Sequence, residues 1–321
     1  METQYLLQLM LSKGIGDAAI KKILHYAFAH QDVSLEFFCK EPIQLNMVFN
    51  CREDTLHSIP QNGERAKKLC DEMLKNGISA IVETESGYPE HLKKTLNGQC
   101  PPVLFVKGNT ALLSTKSVGF CGSRKVSPKG VIITEQCAEQ LASRGVTVVS
   151  GYAAGTDLAA HRAAIAHGGN TVFVLAEGLL KSTKKAEIRD MLTEKNHAFV
   201  SQFLPEQTWN VGNAMRRNAV IIGLSSAMIL VESGKTGGTF AAGEESLKRG
   251  TPLFVIDYEK PEVSAEANPY FIEKGGMPIR GKKGIPNLEK VFLSIDDPVQ
   301  TTPCTEQLML DLCNVSFSNK A

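Results

Sequence analysis

Between residues 117 and 256 two kinds of apolar pattern alternate along the chain. Short continuous runs stand at Ser117–Cys121, Val146–Ser150, Thr171–Leu175, Phe199–Ser201, Ala227–Val231 and Leu253–Ile256. They lack the every-second-residue polarity of a half-exposed strand and read as strands covered on both faces. Helical spacing fills the gaps, over Gly130–Arg144, Asp157–His167, Asn213–Leu224 and Thr239–Lys248. Strand-helix alternation of this kind predicts an α/β domain with a doubly wound, mostly parallel sheet. Ligands of such sheets bind outside the carboxyl ends of the strands, so those turns are the place to search for chemistry.

The first 85 residues have the helical period alone. In "YLLQLMLSKGIGDAAIKKILHYA", Leu6, Leu9 and Met10 share one face, the pattern breaks at Gly14-Ile15-Gly16, and Ile20, Ile23 and Leu24 resume it. Two helices around a Gly-x-Gly turn resemble a helix-hairpin-helix unit, in which free backbone N–H groups meet a phosphate. The alternative is a helical corner that only packs. The few flanking cations, Lys13, Lys21 and Lys22, favour packing. A connector follows, in which Pro101-Pro102 and Gly108-Asn109 bracket a short strand at Val103–Val106. These patterns divide the chain into a helical domain over 1–85, the α/β domain over 86–296 and a short tail over 297–321. The tail has room for one helix near 305–313 and for no winged helix.

Composition narrows the classes. The chain has 321 residues, 43% of them apolar and 21% charged, which suits one large domain beside a smaller one. No apolar run approaches the roughly 18–20 residues of a membrane span, and the first residues lack the basic start and cleavage site of a secretory signal. Cysteines at 39, 51, 70, 100, 121, 137, 304 and 313 form no C-x-x-C pair. They read as reduced thiols in a cytoplasmic protein, with no metal site and no cofactor. A formal net charge of +1 argues against a generally basic nucleic-acid binder. It leaves room for a local basic groove, because the distribution of charge sets the local field.

Against that balance the predicted strand ends stand out. The first leads into Gly122-Ser123-Arg124, with Lys125 and Lys129 close behind. The second opens "SGYAAGTD", where Gly151 and Gly155 permit close backbone approach and Asp157 is placed to cap a helix. Lys181, Lys184, Lys185 and Arg189 follow the third. Arg216, Arg217 and Asn218 open a helix before the fifth, and Lys235, Gly237 and Gly238 come after it. Each has a bland reading: tight βα turns, a cap, a solvated helix face, surface charge. Their coincidence on one sheet edge points instead to an anion cradle, in which glycine turns and helix N-termini hold phosphate and arginine grips its oxygens.

Other chemistries find less support. No G-x-G-x-x-G follows the first strand and no P-loop is present. Ser123, Asp157 and His161 make a conceivable hydrolytic trio, but the serine is on no G-x-S-x-G elbow. Glu232 reads either as a general base or as an ion partner of Lys235, and His161 either as packed or as a ligand. No catalytic turnover is expected.

Read together, "GSR" at 122–124, "SGYAAGTDLAAH" at 150–161, "RRNAVIIGLS" at 216–225 and the Gly-rich loop after "VES" resemble the DNA-processing protein A (DprA/Smf) family. "GYPEHLKKTLNGQCPPVLFVKGN" at 87–109 resembles its Tyr-Pro and Pro-Pro signature. "SKGIGDAAIKKIL" resembles its SAM-like or helix-hairpin-helix leader. The resemblance implies a Rossmann-like domain that binds and protects single-stranded DNA, dimerises, and assists RecA recombinase in recombination or natural transformation. It implies strand-binding roles for Arg124 and for Arg216, Arg217 and Asn218. The chain departs from the pattern at Leu180, where the family has aspartate, and at Thr236–Ala242. An alternative in the same Rossmann-like group is a nucleotide sensor or nucleoside-monophosphate phosphoribohydrolase. Residues 235–239, "KTGGT", resemble that group's glycine loop, although Glu244 is displaced from the usual spacing.

Overall fold

The computed structural model describes residues 3–296, except positions 31, 261 and 283. Six helices come first: α1 (Thr3–Leu11), α2 (Asp17–Ala29), α3 (Leu35–Lys40), α4 (Pro42–Phe49), α5 (Glu53–Gln61) and α6 (Gly63–Lys75). Their apolar stripes meet in a shared core in which Leu6, Leu7, Leu9, Leu45 and Ile59 are completely buried. The Gly14-Ile15-Gly16 turn packs: Ile15 is buried, the Lys13 N–H donates to Ser58 Oγ at 2.9 Å, and the Lys13 ammonium pairs with Asp54.

Next come β1 (Ile78–Val82), α7 (Glu90–Leu96), β2 (Val103–Gly108), β3 (Ser117–Cys121), α8 (Pro128–Ala142), β4 (Thr147–Ser150), α9 (Thr156–Ala166) and β5 (Thr171–Val174). They are followed by α10 (Ala186–Arg189), β6 (His197–Ser201), α11 (Val211–Leu224), β7 (Ala227–Leu230), α12 (Gly238–Lys248) and β8 (Leu253–Ile256). Last are α13 (Asn268–Glu273), β9 (Met277–Ile279) and α14 (Glu289–Asp296). The nine strands form one sheet in the order β1-β2-β6-β5-β4-β3-β7-β8-β9. From β6 to β9 neighbouring strands are parallel, and β1 and β2 add an antiparallel edge. The fold is thus α/β and mostly parallel, behind an N-terminal helical unit. β1 falls within the span expected to be helical, and the tail beyond 296 lies outside the described residues.

Strand side chains alternate between the two faces as the pleat requires. Val148 and Ile229 join α8, α9 and α14 on one side, and Val149, Met228 and Leu230 join α7, α11, α12 and α13 on the other. Double coverage is why these strands read as unbroken apolar runs. The helical unit shares its core with Val82, Val103, Phe105, Phe173 and Phe199, so the two parts are packed through common side chains. After β3 the chain builds outward through β4, β5 and β6, then returns to place β7 on the other flank of β3. That reversal is the switch point at which the carboxyl ends of such a sheet open into a crevice.

Candidate nucleic-acid interface

A cleft of about 510 Å³ lies at the switch point, bordered by the turn after β3, the start of α9, the first half of α11 and the loop into α12. Gly122, Ser123, Arg124, Asp157, Arg217, Asn218, Gly238 and Thr239 line it.

Small residues set the approach of its walls. A Cβ on Gly122 would stand 2.3 Å from Thr156 Oγ1, and one on Gly155 would stand 2.5 Å from the Ser123 carbonyl. Gly155 has φ +79°, a conformation that side chains other than hydrogen resist. These close approaches let the Thr156 N–H and hydroxyl both donate to the Ser123 carbonyl, each at 3.3 Å. Across the cleft the Thr239 hydroxyl donates to the Gly122 carbonyl at 2.9 Å, and Asn218 Nδ2 donates to the Gly238 carbonyl at 3.2 Å. Four elements that are distant in sequence are thereby laced into one rim.

The rim is polarised toward anions. α9 and α12 both begin on a glycine with positive φ, Gly155 and Gly237, and neither has a side-chain cap. Asp157 occupies the first turn of α9, whereas the first turn of α12 contains no acid, and nothing stands within 4 Å of a Cβ built on Gly238. Uncapped N–H groups with the positive end of the helix dipole behind them favour an anion. Arg217 is only 8% exposed, and its Nη1 donates to the Val174 carbonyl at 3.1 Å. Among the described residues, Arg217 Nε and Asn213 Nδ2 are buried donors without a partner. Burial pushes the Arg217 pKa down, the Asp157 carboxylate opposes that, and the Arg124 charge adds to it. Arg124 and Arg217 both line the cleft and their like charges oppose each other, which an anion there would offset.

The carboxylates of the cleft are turned to internal work. Asp157 is 9% exposed, its Oδ2 accepts from the Ala153 N–H at 3.3 Å, and burial raises its pKa while Arg217 lowers it. Glu232 has no exposed surface and accepts from the Ser127 N–H, the Ser127 hydroxyl, the Tyr258 hydroxyl and the Ser264 hydroxyl. It is neither a free base nor the partner of Lys235, which pairs with Glu266 at 3.5 Å. His161 Nε2 faces the Gly151 carbonyl and Nδ1 faces Thr171 Oγ1, each at 2.6 Å, so no Ser-His-Asp trio assembles.

Other expected residues lie around the cleft. Gly151 is beneath it, where an added Cβ would strike Arg217. Lys185 lies nearby, with its ammonium on the Tyr152 carbonyl at 2.7 Å and its pKa lowered by burial. Lys129 is 5.3 Å from the Tyr258 ring centroid. Arg216 faces away, toward the helical unit, where it pairs with Asp17 and sits 5.4 Å from the Phe203 ring centroid. Trp209, Val211 and Met215, which stand outside the glycine-rich and cationic turns, also line the cleft. A lone tryptophan in a polar loop was the available signal.

A doubly wound sheet with an arginine-lined, glycine-walled crevice at its switch point defines a Rossmann-like α/β protein. Residues 79–288 match the family model described as DNA recombination-mediator protein A, and the chain belongs to that family. It is 28% identical to DNA processing protein DprA of Bacillus subtilis, over 68% of this chain and 71% of that protein. It is 31% identical to Protein Smf of Escherichia coli, over 59% of this chain and 51% of that one. The solved structure of DprA from Streptococcus pneumoniae superposes with a TM-score of 0.69 at 23% identity, covering 88% of this chain and 96% of that one. A structure of DNA processing protein A from Helicobacter pylori, reported for its single-stranded DNA binding mode, superposes with a TM-score of 0.55 at 22% identity, covering 68% of this chain and 94% of that one. Among the described residues no helix is long and apolar enough to cross a membrane, and no cluster of side chains is suited to a metal ion.

Proposed function

We propose that this chain binds single-stranded DNA across the cleft, as a recombination mediator and not as a turnover enzyme. The observation that carries the reading is the meeting of Arg124 and the buried, partly unpartnered Arg217 at the uncapped start of α12. Phosphates of the strand lie against those groups, with Ser123, Asn218 and Gly238 around them. Lys129, Lys185 and Lys235 extend the field along the strand. Arg216, held by Asp17, contributes less than its neighbour. The single-strand binding mode reported for the Helicobacter pylori protein supports this assignment. The same family membership supports action in the cytoplasm, a homodimer, and delivery of the strand to RecA recombinase during recombination or transformation.

A salt series with a labelled oligonucleotide tests the cleft. For single strands, log affinity falls with log salt by roughly 0.7 for each phosphate contact, because counterions are released. The double change Arg124→Ala, Arg217→Ala is expected to weaken binding to all sequences alike and to flatten that slope. Unchanged affinity and slope at moderate salt would remove the cleft from consideration.

A further inference from the structure

The cleft has a second wall that phosphate recognition leaves unused. Trp209 is 48% exposed, Val211 67% and Met215 43%, and all three line the cleft. Single apolar side chains on a surface are ordinary, but these are adjacent. Val211 and Met215 are one helical turn apart at the start of α11, and Trp209 stands two residues before Val211. The position is fixed, because Asn210 caps α11 by accepting from the Asn213 N–H at 2.8 Å. The Arg124 guanidinium lies over one face of the Trp209 ring, 5.9 Å from its centroid. The ring is thus half in water with a cation over one face, an arrangement in which a base can meet the indole while its phosphate meets Arg124.

Resting on the strand-binding reading, we infer that Trp209, flanked by Val211 and Met215, is a stacking platform for a nucleobase whose phosphate is held by Arg124. An indole stacks on any base because every base has a π-face, so the platform adds affinity without sequence preference. A ring held by a capped helix start loses little freedom on binding, which suits it to this use.

Trp209 is the only tryptophan of the chain, so its emission reports on this wall alone. The full chain is titrated with a fluorescently end-labelled oligothymidylate, and with a strand of the same length made of abasic sugar-phosphates. Binding is followed by anisotropy and by indole emission. The thymidylate strand is expected to quench Trp209, and the abasic strand to bind more weakly and leave emission nearly unchanged. Trp209→Ala is expected to weaken thymidylate binding about tenfold and leave abasic binding as it was, with Trp209→Phe close to the parent. Equal affinity for both strands, or unchanged emission at saturation with thymidylate, overturns the platform while the cleft assignment stands. Failure of both strands to bind at low salt overturns the platform and the cleft assignment together. If the alanine variant does not fold, the two titrations of the parent chain decide alone.

Discussion

Arg217 lies across Gly151: a Cβ built on that glycine would stand 1.7 Å from Arg217 Nη1 and 2.4 Å from Asp157 Oδ2. The carboxyl end of β4 has room for a hydrogen and nothing larger. Gly151 is not among the glycines with positive φ, so it is required here for close approach and not for backbone freedom. In Gly151→Ala the guanidinium must leave, and its bond to the Val174 carbonyl goes with it. The displaced group is the end of a flexible side chain, so the domain still folds, at a cost of about 1–3 kcal/mol. Strand affinity is expected to fall as far as in Arg217→Ala, with melting and anisotropy measured on the same samples. Parental affinity in the alanine variant would place the strand elsewhere.

A second prediction concerns pH. Burial pushes the His161 pKa down from 6.5 to about 3; the Gly151 carbonyl works in the opposite direction, while Lys185 and Arg217 lower it further. The unfolded chain therefore takes up a proton below the ordinary histidine pKa that the native state refuses until near pH 3. Stability contributed by the neutral imidazole is complete above that ordinary value and is lost as pH falls below it. At about pH 5.5, one unit below the ordinary histidine pKa, the loss from this one group is on the order of 1 kcal/mol. His197, whose pKa burial also lowers, adds with the same sign. Denaturant midpoints of the parent are expected to drop between about pH 7.5 and pH 5.5. His161→Gln should be less stable at the higher pH and show a smaller drop. An equal drop in both would assign the effect to other groups.

The strands of the α/β domain were legible because each is covered on both faces and so lacks polar interruptions. Ser117–Cys121 and Leu253–Ile256 match the observed β3 and β8. β1 was not legible as a strand, although Ile78, Ile81 and Val82 are β-branched, because five mostly apolar residues directly after an amphipathic helix cannot be told from its continuation by period alone. In the site, glycine spacing located the crevice, but charge alone did not show which cation enters it. Arg216 and Arg217 are adjacent in sequence yet about 100° apart around a helix, so one lines the cleft and the other meets Asp17. Glu232 could not be assigned because its four donors come from three other segments, which only the folded chain brings together.

The helical unit is tied to the sheet by polar contacts as well as by shared core. Glu83, just after β1, accepts from Lys21 Nζ on α2 at 2.8 Å and from the Cys100 thiol at 3.2 Å, and Lys21 also donates to the Gly98 carbonyl. Burial raises the Glu83 pKa, but the Lys21 and Cys100 hydrogen bonds outweigh it and hold the carboxyl below its usual range. Lys21→Met leaves this carboxylate without its main counter-charge. The expected cost is about 1–3 kcal/mol, below that of a fully buried pair, because the Lys21 side chain is 24% exposed. Adding Glu83→Gln should restore part of the loss, since the stranded charge is then gone. Calorimetric melting of the four chains gives the coupling, and additive effects would mean that the contact does not join the two units.

Glu232 borders the cleft with no exposed surface and anchors the loop that follows Arg124. Its Oε1 accepts from the Ser127 hydroxyl at 2.5 Å and from Tyr258 at 3.0 Å, while Oε2 accepts from the Ser127 N–H at 2.9 Å and from Ser264 at 2.6 Å. Ser127 in turn caps α8 by accepting from the Gly130 N–H at 3.0 Å. The loop that contains Arg124 is therefore pinned at its far end to the end of β7. Glu232→Gln preserves shape but replaces one accepting oxygen with a donor. The remaining oxygen can stay on the Ser127 N–H and the Ser264 hydroxyl while the amide donates to the Ser127 and Tyr258 hydroxyls, so the cost is the loss of charge from these hydrogen bonds, about 1–2 kcal/mol. Residues 123–130 are expected to exchange their amide hydrogens faster in the variant. Strand affinity should fall severalfold through faster dissociation, with the salt slope intact because no phosphate contact has been removed. A variant as protected and as tight as the parent would show that the loop is held by its other contacts, such as the Ser123 carbonyl with Thr156.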